Sequence, residues 1–200
     1  MKLLALTGGA RRNGNCYQLA QTLLRELPHN SVDYEIVELA DKRIYPCQGC
    51  EYECLQQQTC PLQNDDVPDL WQAMWHADVL LWVVPTYGGT PPALWQALLE
   101  RVQGLFGKAP ASKTQFHAII VLANQLGASF GEFTPQIMRS ILEMLPSESQ
   151  AFLQLQPRQY QDNSLTRGLA DHPEVWATMA PLRQRILAWV SGEASSSLPK

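Results

Sequence analysis

Two hundred residues with a net charge of −4 suit one domain and give no basic surface for a nucleic acid. Hydrophobic residues make up 46% of the chain, enough for a sizeable core, whereas charged residues make up 17%, below the ~25% of typical globular chains. The low charge content fits burial of some surface between subunits, so a homodimer or homotetramer is expected. The longest apolar run, Val79 to Val84, is far short of the ~20 residues that span a bilayer, and no basic start precedes a cleavable apolar region. Neither a membrane partner nor a signal peptide is therefore expected. Five cysteines, four of them clustered, favour a reducing cytoplasm over a disulfide framework.

Lys2 to Thr7 has the pattern of a buried first strand. The turn Gly8 to Cys16, G-G-A-R-R-N-G-N-C, follows it and leads into an amphipathic helix from about Asn15 to Leu27. Backbone N–H groups of such a turn, with the helix N-terminus behind them, form a concave site for a phosphate. Arg11 and Arg12 add positive charge. An ordinary glycine-rich connection has the same appearance. The turn lacks the G-x-x-x-x-G-K-[ST] of a P-loop and does not fit G-x-G-x-x-G. Tyr34 to Leu39 is a second strand, and strand–helix–strand in this order implies a right-handed crossover and a parallel sheet.

A long irregular segment follows, about residues 40–66. It holds Cys47, Cys50, Cys54 and Cys60 as C-x2-C-x3-C-x5-C. Loops of this length usually carry function, and thiols this close suggest metal or redox chemistry. Spacing alone leaves iron, zinc, a redox disulfide and no metal all open. Val67 to His76 is helical, with Pro68 suited to the first turn; its tryptophans are assigned to packing. Ala77 to Val84 is the clearest central strand, apolar on both faces. It ends in Pro85-Thr86-Tyr87-Gly88-Gly89-Thr90, at the carboxyl edge where open α/β sheets bind ligands. Pro92 to Leu105 is a helix, with Trp95 beside its core stripe. Phe116 to Ala123 is a fourth strand, in which His117 is structural, and it runs into Asn124 and Gln125. A helix over Phe133 to Leu145, a fifth strand over Gln150 to Gln156 and a terminal helix over Pro173 to Val190 complete the pattern. Residues 191–200 are a Ser-rich tail expected to be disordered.

Several of these motifs resemble the flavodoxin-like NAD(P)H-dependent FMN reductases, whose phosphate loop commonly reads G-S-P-R-x-x-G-N-T. The matching positions are Gly8, Gly9, Ala10, Arg11, Gly14, Asn15 and Cys16. The family's Ser is Gly9 and its Thr is Cys16, so two hydroxyl donors are missing; backbone donors and a charge-assisted contact from Arg11 could compensate, or FMN retention could be weaker. The family's P-x-Y with a small-residue loop appears as Pro85, Tyr87, Gly88 and Gly89, and its Asp-Arg helix end as Glu100-Arg101. The four cysteines, opened by Pro46-Cys47-x-Gly49-Cys50 and followed by Asp65-Asp66, resemble the iron–sulfur flavoprotein branch. One extra residue separates the second and third cysteines.

The resemblance implies a three-layer α/β/α fold with a five-stranded parallel sheet in the order 2-1-3-4-5. Residues 1–190 form one flavodoxin-like domain, with the cysteine-rich insertion at about 45–66. It also implies FMN held by Gly9, Arg11, Gly14, Asn15, Cys16, Pro85, Thr86, Tyr87, Gly88, Gly89, Asn124 and Gln125. NAD(P)H is the implied co-substrate, a quinone, flavin or similar small molecule the acceptor, and flavin N5 the reactive atom, with no catalytic side chain. The alternative is an electron-transfer iron–sulfur flavoprotein, with a 4Fe–4S cluster on Cys47, Cys50, Cys54 and Cys60. Cys16, beside a helix N-terminus, is a candidate low-pKa thiol without a base partner.

Overall fold

The structure, a computed structural model, describes residues 1–28, 32–101, 115–124, 147–160 and 167–193. Its strands are β1 (Lys2–Thr7), β2 (Asp33–Glu38), β3 (Val79–Pro85), β4 (Gln115–Leu122) and β5 (Ser147–Leu155). Its helices are α1 (Asn15–Arg25), a single turn α2 (Glu53–Gln57), α3 (Val67–His76), α4 (Ala93–Glu100) and α5 (Pro173–Val190). The helix expected at 133–145, the end of the one at 92–105, Gln125 and residues 194–200 lie outside the described residues.

The strands form one parallel sheet in the order β2-β1-β3-β4-β5. The chain moves outward from β1 in one direction to β2 and in the other to β3, so a topological switch point lies between β1 and β3. Both strands end there in glycine-bearing turns. Alternation along each strand divides the core in two. Leu4, Leu6, Leu80, Trp82 and Val84 face α3 and α4, while Leu3, Ala5, Val79, Leu81 and Val83 face α1 and α5.

The tryptophans belong mainly to the first of these layers. Trp71, Trp75, Trp82 and Trp95 are fully buried, and Trp82 meets Trp95 edge-on at 4.3 Å between ring centroids. Trp95 is therefore a core residue and presents no aromatic surface to a second subunit. Gln115 is also buried; its side-chain amide donates to the carbonyls of Met74 (2.7 Å) and Ala77 (2.8 Å), closing the C-terminal end of α3. No helix among the described residues is long and apolar enough to cross a membrane.

His117 lies within β4 at 0% exposure, and burial lowers its pKa to about 4. The native imidazole is therefore neutral at neutral pH. In the unfolded chain it takes up a proton near pH 6.5, so between about pH 6.5 and 4 the unfolded state binds more protons. Stability is then expected to fall as pH drops through that window, by up to about 3 kcal/mol. Urea midpoints at pH 7.5 and 4.5 check this against His117→Leu, which should lose less over the same interval. An identical loss in both proteins would exclude His117 as the cause.

Candidate functional site

The turn after β1 is held in place by several of its own amides. The Gly8 N–H is used by Val83 O (3.0 Å), which ties the turn to β3. Gly14 is the residue before α1. Its N–H donates to Arg11 O (3.2 Å), and a Cβ there would lie 3.0 Å from that same oxygen, a tight approach that favours glycine. No side chain caps α1, and its first turn holds no acidic residue. A helix start of that kind attracts an anion. Asn13 adopts φ 51°, and its N–H donates to the Glu38 carboxylate (2.9 Å to the nearer oxygen). Burial first, and neighbouring Asp41 less strongly, raise the Glu38 carboxyl above its usual range.

The two arginines of the turn separate. Arg12 forms an exposed ion pair with Asp41, while Arg11 lines the cleft. The Cys16 thiol is not the activated group that its position at a helix start suggests. Burial pushes its pKa up to about 12, and Arg11 only partly offsets that, so it is a neutral thiol. Its sulfur would touch a Cβ at Gly9 at 3.5 Å, an ordinary van der Waals distance. A Cβ at position 9 is therefore accommodated.

The turn after β3 closes over the same cleft. Tyr87 N–H donates to Thr90 O (2.9 Å) and Thr90 N–H to Tyr87 O (3.2 Å), with Gly88 at φ 59° and Gly89 at φ 83° between them. Two successive left-handed residues are the pattern of a type I′ turn, which glycines adopt without strain. Thr86 N–H donates to Leu122 O (3.0 Å), tying this turn to β4. The half-exposed Tyr87 reaches back to the first turn, where its hydroxyl accepts the Ala10 N–H (3.1 Å).

Between these turns lies one cavity of about 460 Å³. Every residue that the sequence assigned to FMN lines it except Gln125, which lies outside the described residues. Three further residues complete it: Leu122 on β4, and Pro157 and Arg158 just beyond β5. Pro157 and Arg158 carry no motif. The signal that could have found them is positional, since they follow the carboxyl end of a strand in the same parallel sheet.

The cysteine segment forms a second, smaller cavity of about 70 Å³, lined by Cys47, Cys50, Cys54 and Cys60 together with Glu100 and Arg101 from the end of α4. No three His, Cys, Asp or Glu side chains among the described residues converge closely enough to hold a single metal ion. The thiols therefore surround a space without meeting at a point, unlike the tetrahedral arrangement a lone zinc requires. The backbone around them is unusual. Glu51 (φ 46°), Tyr52 (φ 59°) and Gln58 (φ 50°) are all left-handed, as is Gly49 (φ 74°). Non-glycine residues in that region are disfavoured by about 1–2 kcal/mol each, and such strain gathers at ligand clamps.

A doubly wound parallel sheet with its cleft at the switch point defines a flavodoxin-like α/β protein. Residues 1–155 match the family described as NADPH-dependent FMN reductase, and the chain belongs to that family. It is 31% identical over 105 residues to an iron-sulfur flavoprotein of Methanocaldococcus jannaschii, covering 52% of this chain and 53% of that one. An iron-sulfur flavoprotein of Archaeoglobus fulgidus is 27% identical over 127 residues, 64% of this chain and 56% of its own length. The chain thus spans little more than half the length of these curated relatives. Among solved structures, an NAD(P)H:quinone oxidoreductase from Methanothermobacter marburgensis superposes with a TM-score of 0.66 at 15% identity, over 100% of this chain and 99% of that one.

Proposed function

We propose that this protein is an FMN-dependent oxidoreductase, taking electrons from NAD(P)H and passing them to a quinone, a flavin or a similar small acceptor. The observation that carries this reading is the cavity shared by the turns after β1 and β3, in a chain of the NADPH-dependent FMN reductase family. The residues present suit FMN. Gly9, Arg11, Gly14, Asn15 and Cys16 would hold the phosphate, through backbone donors, an uncapped helix start and a guanidinium. Pro85, Thr86, Tyr87, Gly88 and Gly89 would support the ring, with Asn124 at its edge. FMN, when bound, supplies the hydride and electron chemistry, and the protein supplies orientation and electrostatics. No acid–base side chain is needed, and the neutral Cys16 thiol is not a nucleophile.

Reconstitution with FMN, followed by turnover with NAD(P)H and a quinone, tests the reading; absence of FMN binding would overturn it. Arg11→Ala is expected to weaken FMN binding about tenfold or more, the value of a charge-assisted hydrogen bond to phosphate. Fluorescence titration of FMN measures this, and unchanged affinity would remove Arg11 from the phosphate site.

A second reading is supported by the four thiols around one cavity. Cys47, Cys50, Cys54 and Cys60 would hold a 4Fe–4S cluster, making the protein an electron-transfer flavoprotein. Both relatives named above are iron-sulfur flavoproteins, which agrees with that reading.

A further inference from the structure

The large cavity has two ends of different origin. One is the turn after β1, with Arg11. The other is formed by Asn124 beyond β4 and Arg158 beyond β5. In the order β1-β3-β4-β5 these ends lie three strand spacings apart, about 14 Å at ~4.8 Å each. A ligand with its phosphate at β1 would extend its ring toward β4 and β5.

The chemistry of the far end is one-sided. The backbone N–H of Arg158 donates to Asn124 Oδ1 (3.2 Å). An N–H has no use for a second donor, so this contact turns the amide oxygen toward Arg158 and leaves the Asn124 NH₂ as the group to present to a ligand. The Arg158 side chain is exposed and makes no ion pair among the described residues. Among the described residues, no aspartate or glutamate lines the cavity. Its far end, among those residues, therefore offers an amide donor and a permanent cation with no acidic group beside them. Such a set suits an edge of acceptors, and suits it better when that edge is negatively charged.

Resting on the FMN reading above, we propose that Arg158 balances the charge of the reduced flavin. Oxidised isoalloxazine is neutral. Two electrons and one proton, the equivalent of a hydride from a dihydronicotinamide that leaves as its oxidised cation, give the ring one net negative charge on its N1–C2=O2 edge. A guanidinium at that edge favours the reduced over the oxidised form and raises the midpoint potential. Asn124, fixed by the Arg158 backbone, donates to both forms and sets the orientation of the ring.

The test uses FMN-loaded wild type, Arg158→Ala and Arg158→Lys, with the midpoint potential read by spectrophotometric titration against a reference dye. Oxidised-FMN affinity is measured on the same proteins. Arg158→Ala is expected to lower the reduced-to-oxidised binding ratio about tenfold, a shift of about 30 mV to more negative potential for a two-electron couple. Oxidised FMN should bind nearly as before, and Arg158→Lys should recover most of the shift. An unchanged potential in Arg158→Ala, or equal weakening of both redox forms, would overturn the assignment while leaving the FMN reading in place. Wild-type protein that takes up no FMN would overturn both.

Discussion

Replacing Arg101 by alanine is expected to destabilise the protein by about 3–5 kcal/mol, the cost of leaving one member of a buried ion pair alone. The Arg101 and Asp65 side chains are 1% and 0% exposed, and they pair directly. Around that pair converge both ends of the cysteine segment. Arg101 donates to the carbonyls of Tyr45 and Leu62, while Asp65 accepts the N–H groups of Tyr45 (2.8 Å) and Val67 (3.3 Å). Asp66 adds a second clasp, accepting the Arg43 N–H (2.6 Å) and donating its own N–H to Arg43 O (2.8 Å). A loop of some twenty residues is thus closed at its base, and Arg101 anchors that base to the end of α4. Removing the guanidinium strands a carboxylate in the interior and releases two carbonyls. Urea denaturation measures the loss, and limited proteolysis should show cleavage between residues 45 and 62 first. The double variant Arg101→Met, Asp65→Leu should recover part of the stability, because no charge is then left buried. A single-variant loss below about 1 kcal/mol would mean that water reaches Asp65 and replaces its partner.

This ion pair shows where sequence reading stops. Strand β3 was legible because six consecutive apolar residues, Val79 to Val84, have no other use in a short segment, and α3 because Pro68 and the apolar spacing mark its start and face. The turns after β1 and β3 were legible because their glycines answer local demands, such as the 3.0 Å contact at Gly14 and the positive φ at Gly88 and Gly89. Asp65 and Arg101 are 36 positions apart, and nothing in either's neighbourhood announces the other. Arg158 was missed for a similar reason: it follows a strand end without glycine, motif or charge run, and only the sheet order places it beside Asn124. At Cys16 a local rule was applied where a tertiary one prevails. A helix start and Arg11 lower a thiol's pKa, yet complete burial raises it more. Arg12 and Trp95 follow the same logic, since Asp41 and Trp82 are the partners that decide their roles.

Under the iron–sulfur reading, Cys50→Ser is expected to abolish iron binding while FMN is retained. Protein reconstituted with iron and sulfide without oxygen should hold about four irons per chain and show broad visible absorption beneath the flavin bands. The two losses are separable because the cavities share no lining residue among the described ones: the flavin cleft draws on the turns after β1, β3, β4 and β5, the cysteine cavity on residues 47–62 and the end of α4. Cys16→Ser is the matched control, a thiol in the flavin cleft that lies outside the cysteine cavity, and it should leave iron content unchanged. The strained backbone gives a second readout. If Glu51, Tyr52 and Gln58 hold left-handed conformations to wrap a cluster, then bound iron should stabilise the segment against proteolysis, and Cys50→Ser should remove that protection. Wild-type protein saturated with FMN that binds no iron would sink the cluster. The four thiols would then be structural or redox-active in their own right, and the chain would act through its flavin alone.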